Sequence, residues 1–587
     1  MVTKRFGALL AVLGLALAAC GSGTATGTPT QAPATSTPGG GATATPAASA
    51  STALTPKDGG TLVVGLDGDM VLADTALISD SNSSYVADQV VETLVGLKPG
   101  TVSDIIPVLA SALPTVSADG KTYTFTLRTG VKFHDGTDFN ADAVVFNYKR
   151  WQAFPKGDLQ DNAYYYGAVF GGFGADSNVA SVSAPDETTF VITLKNPQSN
   201  FLISQTNVVF GIESPTALTN DKADTTPLKD NKYAQGQGQS MVGTGPFMWK
   251  AWTPGVEIDV VKNPSYWNPA GVAHLDGIVF KPFQDQTSKL QALQSGSGID
   301  FAQTVAPSDL VTIGTNSSLA IVNRGESCNI GQISMNQDAS TPGAIDPAQH
   351  TLLANKNIRL AIAYAVNKPS YIDAFYAGLA KPADNWMPPA TQYFKAENLP
   401  TYDVQKAKDA ITASGVAATD LTLDLYYPSD VVRPYMPDPK GLAQAIAQDL
   451  QAVGFTIVLK SEGWHTGYIA DEEVGKFPMW LLGWTCDWAG PDNFLDTAFF
   501  HYNGNKPSPE FGYKNDQLNT TMNQALVATD PAQIQSLWEQ AQDLIRADMP
   551  TVPLVNSAPP GAMQAYVQGF VGAGNLTEEF NSVWLNK

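Results

Sequence analysis

Aromatic side chains crowd one stretch of this chain. Trp464, Tyr468, Trp480, Trp484, Trp488 and Phe494 follow one another closely, and Trp484-Thr485-Cys486-Asp487-Trp488 sets one carboxylate among indoles. One chemistry for such a group is a pocket in which a desolvated carboxylate binds an ammonium ion, the rings supplying apolar surface and cation–π attraction. The same residues also suit a hydrophobic core beside a surface aspartate, and composition alone does not separate the two. Catalytic signatures are missing from the sequence: no HExxH, CxxC, Walker A or GxSxG run occurs. His134, His274, His350, His465 and His501 are scattered without metal-ligand spacing, so no metal or cofactor is expected. Asp67 and Asp69 flank a glycine and read as a turn rather than as a paired-carboxylate site.

The elements that must position the aromatic cluster belong to a large chain. Its 587 residues exceed what one hydrophobic core serves, so two or more domains are expected. An apolar share of 43% with 15% charged residues suits a folded soluble body. The net charge of −21 repels phosphate backbones and argues against nucleic acid as a partner. At the start, Lys4 and Arg5 precede an apolar run, Phe6 to Ala18, that is too short to span a bilayer. It ends in Leu17-Ala18-Ala19-Cys20, which resembles a bacterial lipobox, where the cysteine is acylated and becomes the mature N-terminus. Residues 1–20 then form a lipoprotein signal peptide. Residues 21–56 are almost entirely Gly, Ala, Thr, Pro and Ser and read as a disordered tether with a reach of about 35 Å. The body is thus expected outside the cell membrane and tied to it by lipid on Cys20. Cys328 and Cys486 remain, an even pair in an oxidising compartment, and predict a disulfide; two separate buried thiols are the alternative.

Within the body, Gly60–Gly65 (GTLVVG) reads as a buried strand. Residues 85–97 place Val86, Val90, Leu94 and Leu97 on one helical face. In TYTFTLR and TFVITLK, Tyr123, Phe125 and Leu127, then Phe190, Ile192 and Leu194, alternate with polar residues as on half-buried strands. Residues 155–180 and 215–245 read as long loops. Leu442, Ile446, Leu450 and Val453 mark a helix stopped by Gly454 and followed by the strand FTIVLK. Asp530-Pro531 starts another helix, ended by Pro550 and followed by VPLV.

Successive segments resemble, in order, the family 5 extracellular solute-binding proteins of bacterial peptide and nickel ABC importers. They are DGKTYTFTLRTGVKFHDGTDFNADAVVF at 119–146, GTGPF at 243, NPSYWN at 263, NIGQISMN at 329, NIRLAIAYAVNK at 357, VGFTIVLKSEGW at 453 and GWTCDWAGPDNF at 483. The resemblance implies an α/β, three-lobed periplasmic-binding-protein-like type II fold (cluster C): two α/β lobes joined by a hinge, and a β-rich extra lobe. Lobe I would comprise 57–98, 241–325 and 554–587, lobe II 99–240 and lobe III 326–553. A monomeric binder is implied, not an enzyme, which passes its ligand to a membrane permease. In dipeptide-binding members, the aspartate of a GWTGD-like motif pairs with the ligand's α-ammonium and the arginine of an RPY motif with its α-carboxylate. These positions fall on Asp487 and Arg433, with Trp484, Thr485, Trp488, Trp464 and Tyr435 around them. Arginine suits the task because its planar fork grips a carboxylate at two points. The chain departs from the pattern at Cys486, where those proteins have Gly, and at Gly490, where they have Asp. A short peptide is the expected ligand; an oligosaccharide, whose sugar faces also stack on Trp, and a secreted hydrolase are the competing readings.

Overall fold

A computed structural model describes residues 54–500 and 509–587. The expected signal peptide, Cys20 and the expected tether up to residue 53 lie outside the described residues. Among the described residues no helix is long and apolar enough to cross a membrane.

The GTLVVG strand forms at Thr61–Leu66, with Leu62, Val64 and Leu66 fully buried. It is the centre of a seven-stranded sheet ordered 319–322, 561–564, 301–302, 61–66, 277–282, 257–262, 247–253. It runs parallel to both neighbours, Gly277–Pro282 and Phe301–Ala302. The helix expected over 85–97 is shorter: it spans Ser81–Ala87, and Val95–Leu97 is a strand. Two causes outweigh the helical spacing. Val90, Val91, Thr93 and Val95 are β-branched and disfavour helix. The GTGPF segment also packs onto this stretch, its Gly245 N–H donating to the Val90 carbonyl at 3.0 Å and its Phe247 N–H to that of Gln89 at 3.1 Å. A Cβ on Gly243 would lie 2.3 Å from the Val90 oxygen, so glycine is required there.

Residues 99–240 carry a four-stranded antiparallel sheet ordered 115–116, 122–126, 189–194, 179–186. Phe125 faces Phe190 across the ladder, ring centroids 6.0 Å apart, and Tyr148 of helix Ala141–Gln152 packs on Phe190 at 5.0 Å. The stretch 155–180 is not a plain loop. It holds two short helices, Asp158–Asn162 and Tyr164–Phe170, because Leu159, Tyr166, Val169 and Phe170 are buried in the core. Residues 215–245 likewise begin with a helix, Pro215–Asn220, capped by Ser214.

The second large sheet has six strands ordered 380–382, 552–557, 329–335, 479–485, 422–428, 456–462. The two expected helices form beside it. Pro439–Val453 is capped by Asp438 and stopped by left-handed Gly454, and Pro531–Asp548 is capped by Asp530. Strand Val552–Ser557, which the sequence reading divided at 553/554, lies whole in this sheet. All six of its residues are buried against it, and the chain returns to the first sheet only at Gly561–Gln564.

The chain therefore crosses between the two large sheets at 323–328 and again at 558–560. Arg324 and Glu578, both fully buried, form an ion pair at this crossing. Burying two charges is costly unless their remaining donors and acceptors are met. Here Arg324 also donates to the carbonyls of Pro559 at 2.9 Å and Gln303 at 2.7 Å, and Glu578 accepts from Tyr85 Oη at 2.8 Å. The pair ties both crossing segments to the first sheet's core.

Candidate functional site

Three neighbouring strands of the second sheet, Thr422–Pro428, Thr456–Glu462 and Met479–Thr485, run parallel. Their carboxyl ends therefore lie side by side, and in open α/β sheets ligands bind outside such ends. Arg433 follows the first strand, Trp464 the second and Asp487 the third, so the topology gathers residues far apart in sequence.

Arg433 is held in a tight turn, its N–H donating to the Met436 carbonyl at 3.1 Å and Met436 N–H returning to the Arg433 carbonyl at 2.8 Å. Its guanidinium carbon lies 4.5 Å from the Trp464 ring centroid. Trp464 is fixed in turn: its backbone N–H donates to Asp430 Oδ1 at 2.7 Å and its ring stacks on Tyr468 at 5.7 Å. Arg433 Nε is buried without a hydrogen-bond partner, and Arg433 forms no ion pair among the described residues. An oriented cation with an aromatic backing and unspent donors is a receptor for a carboxylate.

Asp487 is half-buried. Its Oδ1 accepts from Tyr165 Oη at 2.7 Å and its Oδ2 from Asn493 Nδ2 at 3.0 Å. Burial pushes its carboxyl up to about 6, against the lowering effect of those two hydrogen bonds. Asn493 organises the segment, its Oδ1 accepting from Trp484 Nε1 at 3.1 Å and from Asp487 N–H at 3.0 Å. Asn207 Nδ2 donates to the Asp487 carbonyl at 3.1 Å. Tyr165, Asn207 and Asn493 were not singled out in the sequence. The signal for Tyr165 was the run Tyr164-Tyr165-Tyr166, three aromatics in a stretch read as loop.

Cys328 and Cys486 are joined by a disulfide with Cα atoms 5.5 Å apart. The ladder explains it: Asn329 pairs with Thr485 on antiparallel strands, so the next residue on each strand meets across the sheet end. The bond thus joins a crossing segment to the residue before Asp487. Trp484 and Thr485 are half-buried at this sheet end. Two other expected ligand contacts are turned inward. Tyr435 is 6% exposed, its ring filling the space over Gly483, where a Cβ would lie 2.5 Å from the ring. Trp488 is 3% exposed and gives its indole N–H to Asp492 Oδ2 at 2.8 Å. Their inward placement makes them supports of the site rather than walls of it. Asp67 pairs with Lys289, and Asp69 accepts from Trp252 Nε1 at 2.9 Å, so neither is a free carboxylate.

Behind Tyr468 and Tyr435 lies a pair of carboxyl groups, Glu472 and Glu510, that share a hydrogen bond. Burial pushes Glu472 up to about 8, and Glu473 adds to the shift. A carboxyl whose folded value lies above its unfolded one stabilises the fold fully below the unfolded value of 4.5, and that stability is lost as pH rises towards 8. Wild-type protein is therefore expected to lose stability at this locus as pH rises from about 5 to 8. Glu472→Gln, a neutral mimic of the acid, should make that loss smaller, leaving the part due to Glu510, whose carboxyl burial also raises. Urea midpoints of both proteins across the range check it; parallel curves would refute it.

Comparisons with known proteins give the family and the fold. The chain is 30% identical over 478 residues to a dipeptide-binding protein of Pseudomonas aeruginosa, covering 79% of this chain and 84% of that one. It is 30% identical over 532 residues to the glutathione-binding protein GsiB of Escherichia coli, covering 89% and 93%. Among solved structures, the periplasmic binding protein DppA of Helicobacter pylori, in complex with peptide STSA, superposes with a TM-score of 0.70 at 26% identity, covering 90% of this chain and 99% of that one. The fold is thus the type II periplasmic-binding-protein fold. Residues 104–506 match the model of the bacterial extracellular solute-binding proteins, family 5 Middle, and the chain belongs to that family of solute binders.

Proposed function

We propose that this protein captures short peptides outside the cell and hands them to the permease of an ABC importer. The observation that carries the reading is the placement, just after neighbouring parallel strands, of a half-buried carboxylate at Asp487 and of an aromatic-backed guanidinium at Arg433 that has no ion pair among the described residues. A zwitterionic peptide offers one group to each, whatever its side chains. The relatives bind a dipeptide, glutathione and a peptide, and all of these carry an amine and a carboxylate. Residues 57–98, 241–325 and 558–587 form one jaw and 326–557 the other, closing about the crossings at 323–328 and 558–560. The residues 99–240 take part through Tyr165 and Asn207, which reach Asp487. Tyr165 and Asn493 donate to the oxygens an ammonium would take, so an arriving amine joins or displaces a neutral donor.

Calorimetric titration with Ala-Ala and with a maltooligosaccharide tests the reading. Binding of the dipeptide alone supports it; binding of the sugar alone overturns it. The lipid anchor is part of the same proposal: Cys20→Ala is expected to release the protein from washed membranes into the soluble fraction, and a variant that stays in the membrane pellet would refute the anchor.

A further inference from the structure

Residues 99–240 and the first sheet share one buried core, whereas the second sheet has its own. The chain passes between the two bodies at 323–328 and 558–560, so opening about those crossings must part residues 99–240 from the second sheet's lobe. The two meet along a seam. Trp488, 3% exposed, is the one described residue of 326–557 that belongs to the first body's core, a knob from one body set into the other. Asn200 Nδ2 donates to Asp492 Oδ2 at 2.5 Å. Ser199 donates twice to the end of helix Asp516–Val527, its N–H to the Leu526 carbonyl and its Oγ to the Ala525 carbonyl, each at 2.8 Å. Carbonyls of a last helical turn have no partner within the helix. Gly120 lies so close to Thr529 that a Cβ on it would be 2.4 Å from Thr529 Cγ2. The bonds of Tyr165 and Asn207 to Asp487 belong to the same seam. Apart from the Trp488 knob its bonds are polar, and water takes over each of them on opening, so the net gain from each is small and the seam is able to part.

We propose that this seam is the latch of the jaws: it holds them shut around a bound solute, and the solute leaves only after Trp488 withdraws and the Ser199 and Asn200 bonds break. The inference rests on the closure of the two jaws and not on which solute they hold. Ser199 and Asn200 are neighbours in sequence, so one rotation breaks their bonds together. Trp488 directly follows Asp487, so withdrawing the knob moves the carboxylate that faces the ligand. A ligand that fixes Asp487 in turn holds Trp488 in place. Binding and latching are thus coupled through one stretch of backbone, and the ligand favours the shut form by the contacts it makes there.

A Cβ on Gly120 would lie 3.4 Å from Thr529 Cβ, close to the separation of about 3.5–4.5 Å found in disulfides. Gly120→Cys with Thr529→Cys, in the full chain carrying Cys20→Ala, should therefore lock the seam when oxidised and free it when reduced. Comparing two forms of one protein cancels the strain of a cysteine at Gly120, where φ is +67°. Wild type given the same mild reductant controls for the Cys328–Cys486 bond. Hydrogen exchange of the Ser199 amide, whose partner lies across the seam, should slow at least about tenfold on oxidation with no ligand added. Release of Ala-Ala, followed by tryptophan fluorescence, should slow about a hundredfold or more when the bond is closed after loading. Equal exchange in the oxidised and reduced forms would overturn the latch, and so would equal release. Slowed exchange in a protein that binds no Ala-Ala would uphold the latch and remove the peptide reading instead. Should the cysteine pair not fold or not oxidise, Asn200→Ala loosens the seam from another point. It is expected to speed both Ser199 exchange and Ala-Ala release by about tenfold, the effect of losing one hydrogen bond to a charged acceptor. Wild-type rates in that variant would overturn the latch.

Discussion

Asp487→Asn is expected to nearly abolish binding of a free-amine dipeptide while leaving the fold intact. When the jaws close, the ligand's ammonium and the Asp487 carboxylate leave water together. Removing the protein charge strands a buried ligand charge, which costs about 2–5 kcal/mol, or roughly one and a half to three and a half decades of affinity. The fold is spared because the substituted amide keeps an oxygen acceptor for Asn493 Nδ2. Asn493 cannot rotate to compensate otherwise, since its own oxygen is held by Trp484 and by the backbone N–H of residue 487. The amide nitrogen then faces the Tyr165 hydroxyl, which can accept as well as donate. N-acetylation of the peptide should hurt the wild type strongly and add little in the variant, which closes a double-mutant cycle. The pH dependence follows from the same group. Burial raises the carboxyl to about 6, and only its ionised form attracts an ammonium. Wild-type affinity should therefore fall below about pH 6, by up to tenfold per pH unit, while the variant shows no such slope. Equal wild-type affinity for the free and acetylated peptides would remove Asp487 from the ammonium role and favour the sugar reading.

The limits of the sequence reading have physical causes. Helix Pro439–Val453 and helix Pro531–Asp548 were legible because each carries its own start and stop: an Asp cap, a following proline and a full apolar stripe. The helix expected at 85–97 failed because its fate is set by a distant segment, GTGPF, whose glycines let two backbones touch. Asp487 was singled out by its place among indoles and then by motif resemblance, and Arg433 by resemblance alone; periodicity pointed to neither. Spacing along the chain says nothing of their coming to one end of the sheet, which depends on two strands, 422–428 and 479–485, lying parallel and adjacent. Tyr165 and Asn493 were missed for the same reason. Tyr165 gives Asp487 one hydrogen bond and Asn493 exchanges two with it, and the contacts of a hydroxyl or an amide leave no pattern in a sequence. Trp484 and Trp488, four residues apart and alike in composition, part company in space: one stays half-exposed at the sheet end, and the other is spent on Asp492.

Loss of the Cys328–Cys486 bond is expected to lower stability by about 5 kcal/mol, the chain-entropy value for a closed loop of this length. The two cysteines are 158 residues apart, and that separation encloses most of the second sheet. The unfolded chain therefore gains a large freedom when the bond is opened. The native state changes little, because the neighbouring ladder persists: Asn329 still pairs with Thr485, and the backbone N–H of residue 486 still donates to the carbonyl of residue 328, now at 2.8 Å. Ligand affinity should accordingly drop by less than about tenfold, far less than for Asp487→Asn. The test pairs Cys328→Ala with Cys486→Ala. Alanine is preferred to serine because Cys328 is fully buried and a hydroxyl there would add its own desolvation cost. Urea unfolding of wild type, of reduced wild type and of the double variant should give two matching losses, since reduction opens the same loop without changing a side chain. Thiol counting supplies the direct check. The denatured, unreduced Cys20→Ala protein should show no free thiol, and two would refute the bond. A loss below about 1 kcal/mol in both the reduced protein and the double variant would mean that the unfolded second lobe is already compact enough to hold the two segments together.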